Sequence, residues 1–189
     1  MAVADMNGDG VPDLIWQNAS TNQVTVNYYG GAGGAVYQGW ASLHSSTGWT
    51  VVAAADLDGN GTPDLVWQNN STAQVTVNYY GGAGGAVYQG WAWLNSAGAP
   101  GWTVVGAADM NADGVPDLIL MNNSTRQVYV NFYGGAGGAV YEGWAWVNST
   151  GQSGSQVYAV ADQDGNGEPD LIWQNDSTGQ VTVNYYGLG

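Results

Sequence analysis

The stretch Asp56-Leu57-Asp58-Gly59-Asn60-Gly61-Thr62-Pro63-Asp64 is one of four copies of the same layout, which begin at Asp5, Asp56, Asp109 and Asp162. Successive starts are 51, 53 and 53 residues apart. A chain that restates one pattern every fifty-odd residues folds as a series of like supersecondary units, and this constrains the fold more than any other feature.

Each copy places oxygen-bearing side chains at positions 1, 3, 5 and 9. They are Asp5, Asn7, Asp9 and Asp13; Asp56, Asp58, Asn60 and Asp64; Asp109, Asn111, Asp113 and Asp117; and Asp162, Asp164, Asn166 and Asp170. Position 6 is always glycine: Gly10, Gly61, Gly114 and Gly167. A hard cation needs several oxygens converging on one point, and a short loop supplies them only by curling sharply. The pattern predicts a Ca2+ loop, with Val11, Thr62, Val115 and Glu168 at position 7 contributing backbone carbonyls. Position 12 holds Trp16, Trp67, Leu120 and Trp173 instead of glutamate, and strand pattern follows, so this is not a helix–loop–helix site. The plainer alternative is an Asx-rich turn. Four copies at fixed offsets favour the metal. The third copy departs elsewhere, at Ala112, Leu120, Met121, Arg126 and Phe132, but keeps its ligands and is expected to bind as well.

Charge points the same way. The 189 residues carry one basic residue, fifteen acids and a formal charge of −14. All but Glu142, Glu168 and Asp176 of the acids sit at those loop positions, and clustered carboxylates repel unless a cation lies between them. Four divalent ions would offset more than half of the charge. Phosphate contacts need basic side chains, so nucleic acid is excluded as a partner, and an anionic membrane surface is disfavoured. No apolar run is long enough for a membrane-spanning helix, so membrane insertion is not expected. No basic-then-apolar leader stands at Met1, and the chain reads as a mature form or an excised piece. Cysteine is absent, which removes disulfides and thiolate chemistry. Calcium loops of moderate affinity fill outside cells, so an extracellular or cell-surface setting is expected. The Asn-X-Ser/Thr triplets, as at Asn18, Asn69, Asn122 and Asn175, read as turns.

Around each loop the chain reads as strands. A small-residue strand leads in at 50–55, 103–108 and 156–161, with 1–4 as its short first copy; its alanines and glycine suggest crowded backbones. A second strand leaves the loop at 13–17, 64–68, 117–121 and 170–174. A third, at 23–29, 74–80, 127–133 and 180–186, alternates and is expected to have one dry and one mixed face. Gly-Gly-Ala-Gly-Gly links at 30–34, 81–85 and 134–138 are turns, because no Lys-Ser/Thr and no helix follow them. A fourth, aromatic strand spans 35–43, 86–94 and 139–147, and copy four stops before any such strand. Nothing keeps a helical period. The fold class is all-β, a β-propeller of four blades of about 52 residues and four strands each, the last incomplete. As one repeat domain, the blades cover 1–47, 48–98, 99–151 and 152–189. Three assemblies are open: a four-bladed ring closed by packing, a larger homo-oligomeric ring, or a piece of a longer propeller.

The loops and their Pro-Asp-Leu-Ile/Val-Trp exits resemble the VCBS/FG-GAP-like repeat family, which includes integrin alpha-chain propellers and fungal and bacterial propeller lectins. The resemblance implies calcium at the positions above and propeller domains, usually seven-bladed, in secreted or surface proteins. This chain has four units, and they are unusually alike.

No enzyme constellation is visible. His44 is the single histidine and lies in a variable turn, and the carboxylates recur as ligands, not as an acid–base pair. The expected function is a non-enzymatic, calcium-stabilised binding module for glycans; the alternative is a structural, designed or self-assembling scaffold. Tyr37, Trp40, Tyr88, Trp91, Trp93, Tyr141, Trp144 and Trp146 offer rings for stacking, and Gln38, Gln89 and Glu142 offer polar contacts. Trp40, Trp91 and Trp144 are expected mainly to fill gaps between blades. Trp93 and Trp146, replaced by Ser42 in copy one, carry the ligand reading more directly.

Overall fold

The computed structural model describes residues 1–186; positions 187–189, the end of the fourth blade range, lie outside the described residues. Four antiparallel sheets follow one another as propeller blades. Blade one holds β1 (Ala2–Ala4), β2 (Asp13–Gln17), β3 (Val24–Gly30) and β4 (Val36–Leu43). Blade two holds β5 (Trp49–Ala55), β6 (Asp64–Asn69), β7 (Val75–Gly81) and β8 (Val87–Asn95). Blade three holds β9 (Trp102–Ala108), β10 (Asp117–Asn122), β11 (Val128–Gly134) and β12 (Val140–Asn148). Blade four has three strands among the described residues: β13 (Ser155–Ala161), β14 (Asp170–Asn175) and β15 (Val181–Asn184). In every sheet the strands pair in chain order. No helix among the described residues is long and apolar enough to cross a membrane.

The chain divides into two compact units, Met1–Pro100 and Gly101–Gly189. In the first, blades one and two share a core of Met6, Ile15, Val24, Val26, Leu43, Val51, Leu65, Trp67 and Tyr80. Gln17 ties the two sheets: its amide donates to the Trp49 carbonyl (2.8 Å) and accepts from the Val51 N–H (3.0 Å). These bonds end where the bulge in β5 begins, after Val51, on an edge whose backbone would otherwise lack partners. In the second unit the core is Ile119, Met121, Val128, Val157, Leu171 and Trp173. Met121 stands where Gln17 does, and the Val157 N–H meets only its sulfur at 3.5 Å. The crowding expected of the small residues is found there too: a Cβ at Gly106 would lie 2.6 Å from Val160.

One expectation is corrected. The face of β7 that alternation marks as mixed is buried as fully as the other, with Thr76 and Asn78 each 7% exposed and Tyr80 0%. The face is covered because blade one packs on it: the Tyr80 hydroxyl accepts the His44 N–H at 3.0 Å. The turns between second and third strands are Asx turns, as expected. The Asn69 side-chain oxygen accepts from Ser71 and Thr72 (both 2.9 Å), and Asn18, Asn122 and Asn175 do likewise.

Candidate metal centres and an aromatic cleft

Each acidic loop runs from a first strand into the second, and two aspartates fix its shape. The position 1 side chain accepts loop N–H groups: Asp56 takes Gly59 (2.9 Å), Asn60 (3.1 Å) and Gly61 (2.7 Å). Position 6 turns through the left-handed region, with φ of 85° at Gly10 and Gly61, 89° at Gly114 and 91° at Gly167, which is glycine's territory. The position 9 aspartate opens the second strand and is fully buried in all four copies. Asp64 accepts the Leu57 N–H at 3.0 Å and the Tyr80 N–H at 2.9 Å, and Asp13, Asp117 and Asp170 repeat the pair.

These bonds bring three carboxylates together in two loops. Oxygens of Asp56, Asp58 and Asp64 lie within 4.8 Å of one another, as do those of Asp162, Asp164 and Asp170. In loops one and three the acid and the amide exchange places. Asn7 and Asn111 stand at position 3, where Asp58 and Asp164 converge, while Asp9 and Asp113 take position 5. The exchange has a hydrogen-bonding cause. An amide at position 5 can donate, so Asn60 reaches the Tyr80 carbonyl and Asn166 the Tyr186 carbonyl, both at 2.8 Å. A carboxylate there cannot, and it accepts from position 3: Asn111 donates to Asp113 at 2.9 Å and Asn7 to Asp9 at 3.4 Å. At position 7 the N–H groups of Val11, Thr62, Val115 and Glu168 bond the side chain at position 5 (2.7–2.9 Å). The donors gathered are all hard oxygens, a set suited to calcium-class ions and unsuited to thiolate- or imidazole-seeking metals.

Burial pushes the Asp64 carboxyl up to about 7 and Asp117 up to about 6, against the backbone N–H bonds that pull each down; Asp13 is raised for the same reason. Asp162, exposed, is lowered chiefly by the Gly167 N–H. A carboxyl with a raised folded value favours the metal-free fold most below its unfolded value near 4, and that contribution is lost as pH rises to about 7. A cation at the same oxygens replaces the proton. The rise in melting temperature that calcium produces is therefore expected to be larger at pH 8 than at pH 5.5; equal rises at both would contradict the assignment of Asp64 and Asp117 as ligands.

The aromatic candidates separate into two groups. Tyr88, Trp91 and Trp93 come together on one face of blade two, lining a cleft of about 290 Å3 with His44, Ser46, Trp49, Trp67, Thr76 and Asn78. A bulge in β8 allows this, because the register shifts between the Tyr79 and Tyr80 pairings and returns Tyr88 to the face of the tryptophans. The same bulge turns Gln89 away, onto Gly81, where its amide leaves no room for a Cβ. Gln38 on Gly30 and Glu142 on Gly134 do the same, so these three are not on the cleft face. In blade three Tyr141, Trp144 and Trp146 repeat the arrangement. In blade one Tyr37 and Trp40 stand exposed with Ser42 in place of the second tryptophan. Trp40, Trp91 and Trp144, expected mainly to fill gaps, are 53–62% exposed, on strands that are the edges of their sheets among the described residues.

The cleft has two chemical faces. His44 stacks on Tyr88 (4.9 Å, 18°), and Trp91 meets Trp93 edge-on (5.3 Å, 84°). The Trp67 indole N–H is buried with no hydrogen-bond partner, as is that of Trp173 in blade four. The residues that the sequence did not single out as ligand contacts, Trp49, Trp67, Thr76 and Asn78, come from β5, β6 and β7 and meet only when the sheet forms.

No curated protein matches this chain. Residues 5–67, from the first acidic loop through the strand that leaves the second, match the family model described as FG-GAP-like repeat, so over that span the chain is similar to that family.

Proposed function

We propose that the protein is a non-enzymatic binding module, stabilised by Ca2+ in its four loops, that takes a neutral carbohydrate in the blade-two cleft. The carrying observation is the Trp67 N–H, a buried donor without a partner in a wall of aromatic rings. Leaving such a donor unmet costs about 1–3 kcal/mol, which a sugar oxygen would offset. Ser46, Thr76 and Asn78 add polar contacts, and the rings offer apolar faces to a pyranose. Anionic sugars do not suit it: the only basic side chain, Arg126, is paired with Asp176 at 3.1 Å. A quaternary ammonium ion would suit the rings but has no acceptor for Trp67. Calcium loops of moderate affinity fill at extracellular calcium levels, which supports an extracellular or cell-surface setting.

A second reading, a self-assembling scaffold, is favoured by one observation. β4, β8 and β12 are edge strands with Val36, Val87 and Val140 more than half exposed, and such edges pair readily. A glycan array with wild type and Trp91→Ala separates the two. Binding to neutral glycans, weakened at least tenfold by Trp91→Ala, is the expected result. No glycan binding, with a sedimentation mass of several chains, would favour the scaffold.

A further inference from the structure

Blades two and three build the same aromatic wall. Trp144 meets Trp146 at 5.4 Å and 86°, as Trp91 meets Trp93 at 5.3 Å and 84°. Trp102 lies 6.2 Å from Trp146, tilted 42°, as Trp49 lies 6.2 Å from Trp93, tilted 45°. The blades differ at one cross-strand pair beneath that wall. In blade two Trp67 is paired with Thr76, and in blade three Leu120 is paired with Tyr129. Large and small have changed places across the pair, which keeps the packed volume roughly constant, the kind of change cores tolerate best.

The consequence is local. Thr76 leaves open the space that forms the cleft. The Tyr129 ring stands 4.6 Å from Trp102, 6.0 Å from Trp144 and 6.2 Å from Trp146, the counterparts of Trp49, Trp91 and Trp93. All three of those counterparts wall the blade-two cleft. We infer that Tyr129 is a resident occupant of blade three's copy of the cleft, and that position 76/129 determines which blade accepts a ligand. Threonine admits one six-membered ring, and tyrosine supplies it from the chain itself. The occupant also sets the size of the ligand. A phenol is a single flat ring with one hydroxyl, so the open cleft takes one pyranose unit, such as the end of a chain, and not several side by side. That last step rests on the carbohydrate reading; the occupancy of blade three does not.

The test uses p-cresol, the severed tyrosine side chain, and methyl β-D-glucopyranoside, titrated in calcium against tryptophan labelled with fluorine and followed by fluorine NMR. Wild type is expected to bind one p-cresol. The paired exchange Trp67→Leu/Thr76→Tyr is expected to bind none, and Leu120→Trp/Tyr129→Thr to bind two. Should either pair fail to fold, Tyr129→Ala removes the ring without adding bulk and is expected to gain one site. If the p-cresol count follows this order while the glucoside binds no variant, the carbohydrate reading falls and the inference stands. If Trp67→Leu/Thr76→Tyr keeps its site, or removing the Tyr129 ring opens none, the inference is overturned.

Discussion

Chelating calcium is expected to lower the melting temperature by about 20 °C or more, as followed by circular dichroism in excess chelator and in millimolar calcium. The size follows from linkage. An ion that binds only the folded state adds about 2.7 kcal/mol per site when it stands a hundredfold above its dissociation constant. Four such sites add about 11 kcal/mol, and a chain of this length shifts by about 2–4 °C per kcal/mol. The local cause is the pair of carboxylate triplets, Asp56, Asp58 and Asp64, and Asp162, Asp164 and Asp170. Without a cation, each holds like charges within a few ångströms in the fold and disperses them on unfolding. A melt unmoved by chelator would mean that the loops are shaped by their hydrogen bonds alone.

The second large effect separates those two roles. Asp64→Ala is expected to destabilise by about 3–5 kcal/mol in chelator, and by more in calcium, where the loop-two ion is lost as well, measured by urea unfolding. Its oxygens accept the N–H groups of Leu57 and Tyr80, and its loss leaves both buried donors unmet at about 1–3 kcal/mol each. Asp58→Ala is expected to behave differently. Asp58 stands at the loop surface, and among the described residues its oxygens accept from Asn60 alone. In chelator its removal relieves repulsion on Asp64 and leaves stability unchanged or slightly higher. In calcium it removes the loop-two share of the stabilisation. Equal losses for Asp58→Ala with and without calcium would contradict its place as a ligand.

The fold was legible because its signals are local and repeated. The loop spacing sets the unit, alternation sets the strands, and short turns force each strand onto its chain neighbour, which yields the sequential sheets found. The acidic loops were legible for the same reason, since positions 1 to 9 close on themselves. Two things were not. The exchange of Asp58 and Asn60 for Asn7 and Asp9 leaves the number of acids in each loop unchanged, and its meaning appears only once position 5 is seen against the Tyr80 carbonyl of a distant strand. The cleft depends on residues from four strands and on a bulge that turns Gln89 from the aromatic face to Gly81. Strict alternation cannot anticipate a bulge, so Gln38, Gln89 and Glu142 were grouped with rings that the folded sheet faces away from them.

The central claim is that every one of the four acidic loops holds a calcium ion. Native mass spectrometry of protein purified in calcium and exchanged into volatile buffer counts them directly. Four calcium ions per chain, with three left after Asp58→Ala, is the result expected. A chain that carries none, and melts at the same temperature as it does in millimolar calcium, would contradict the account.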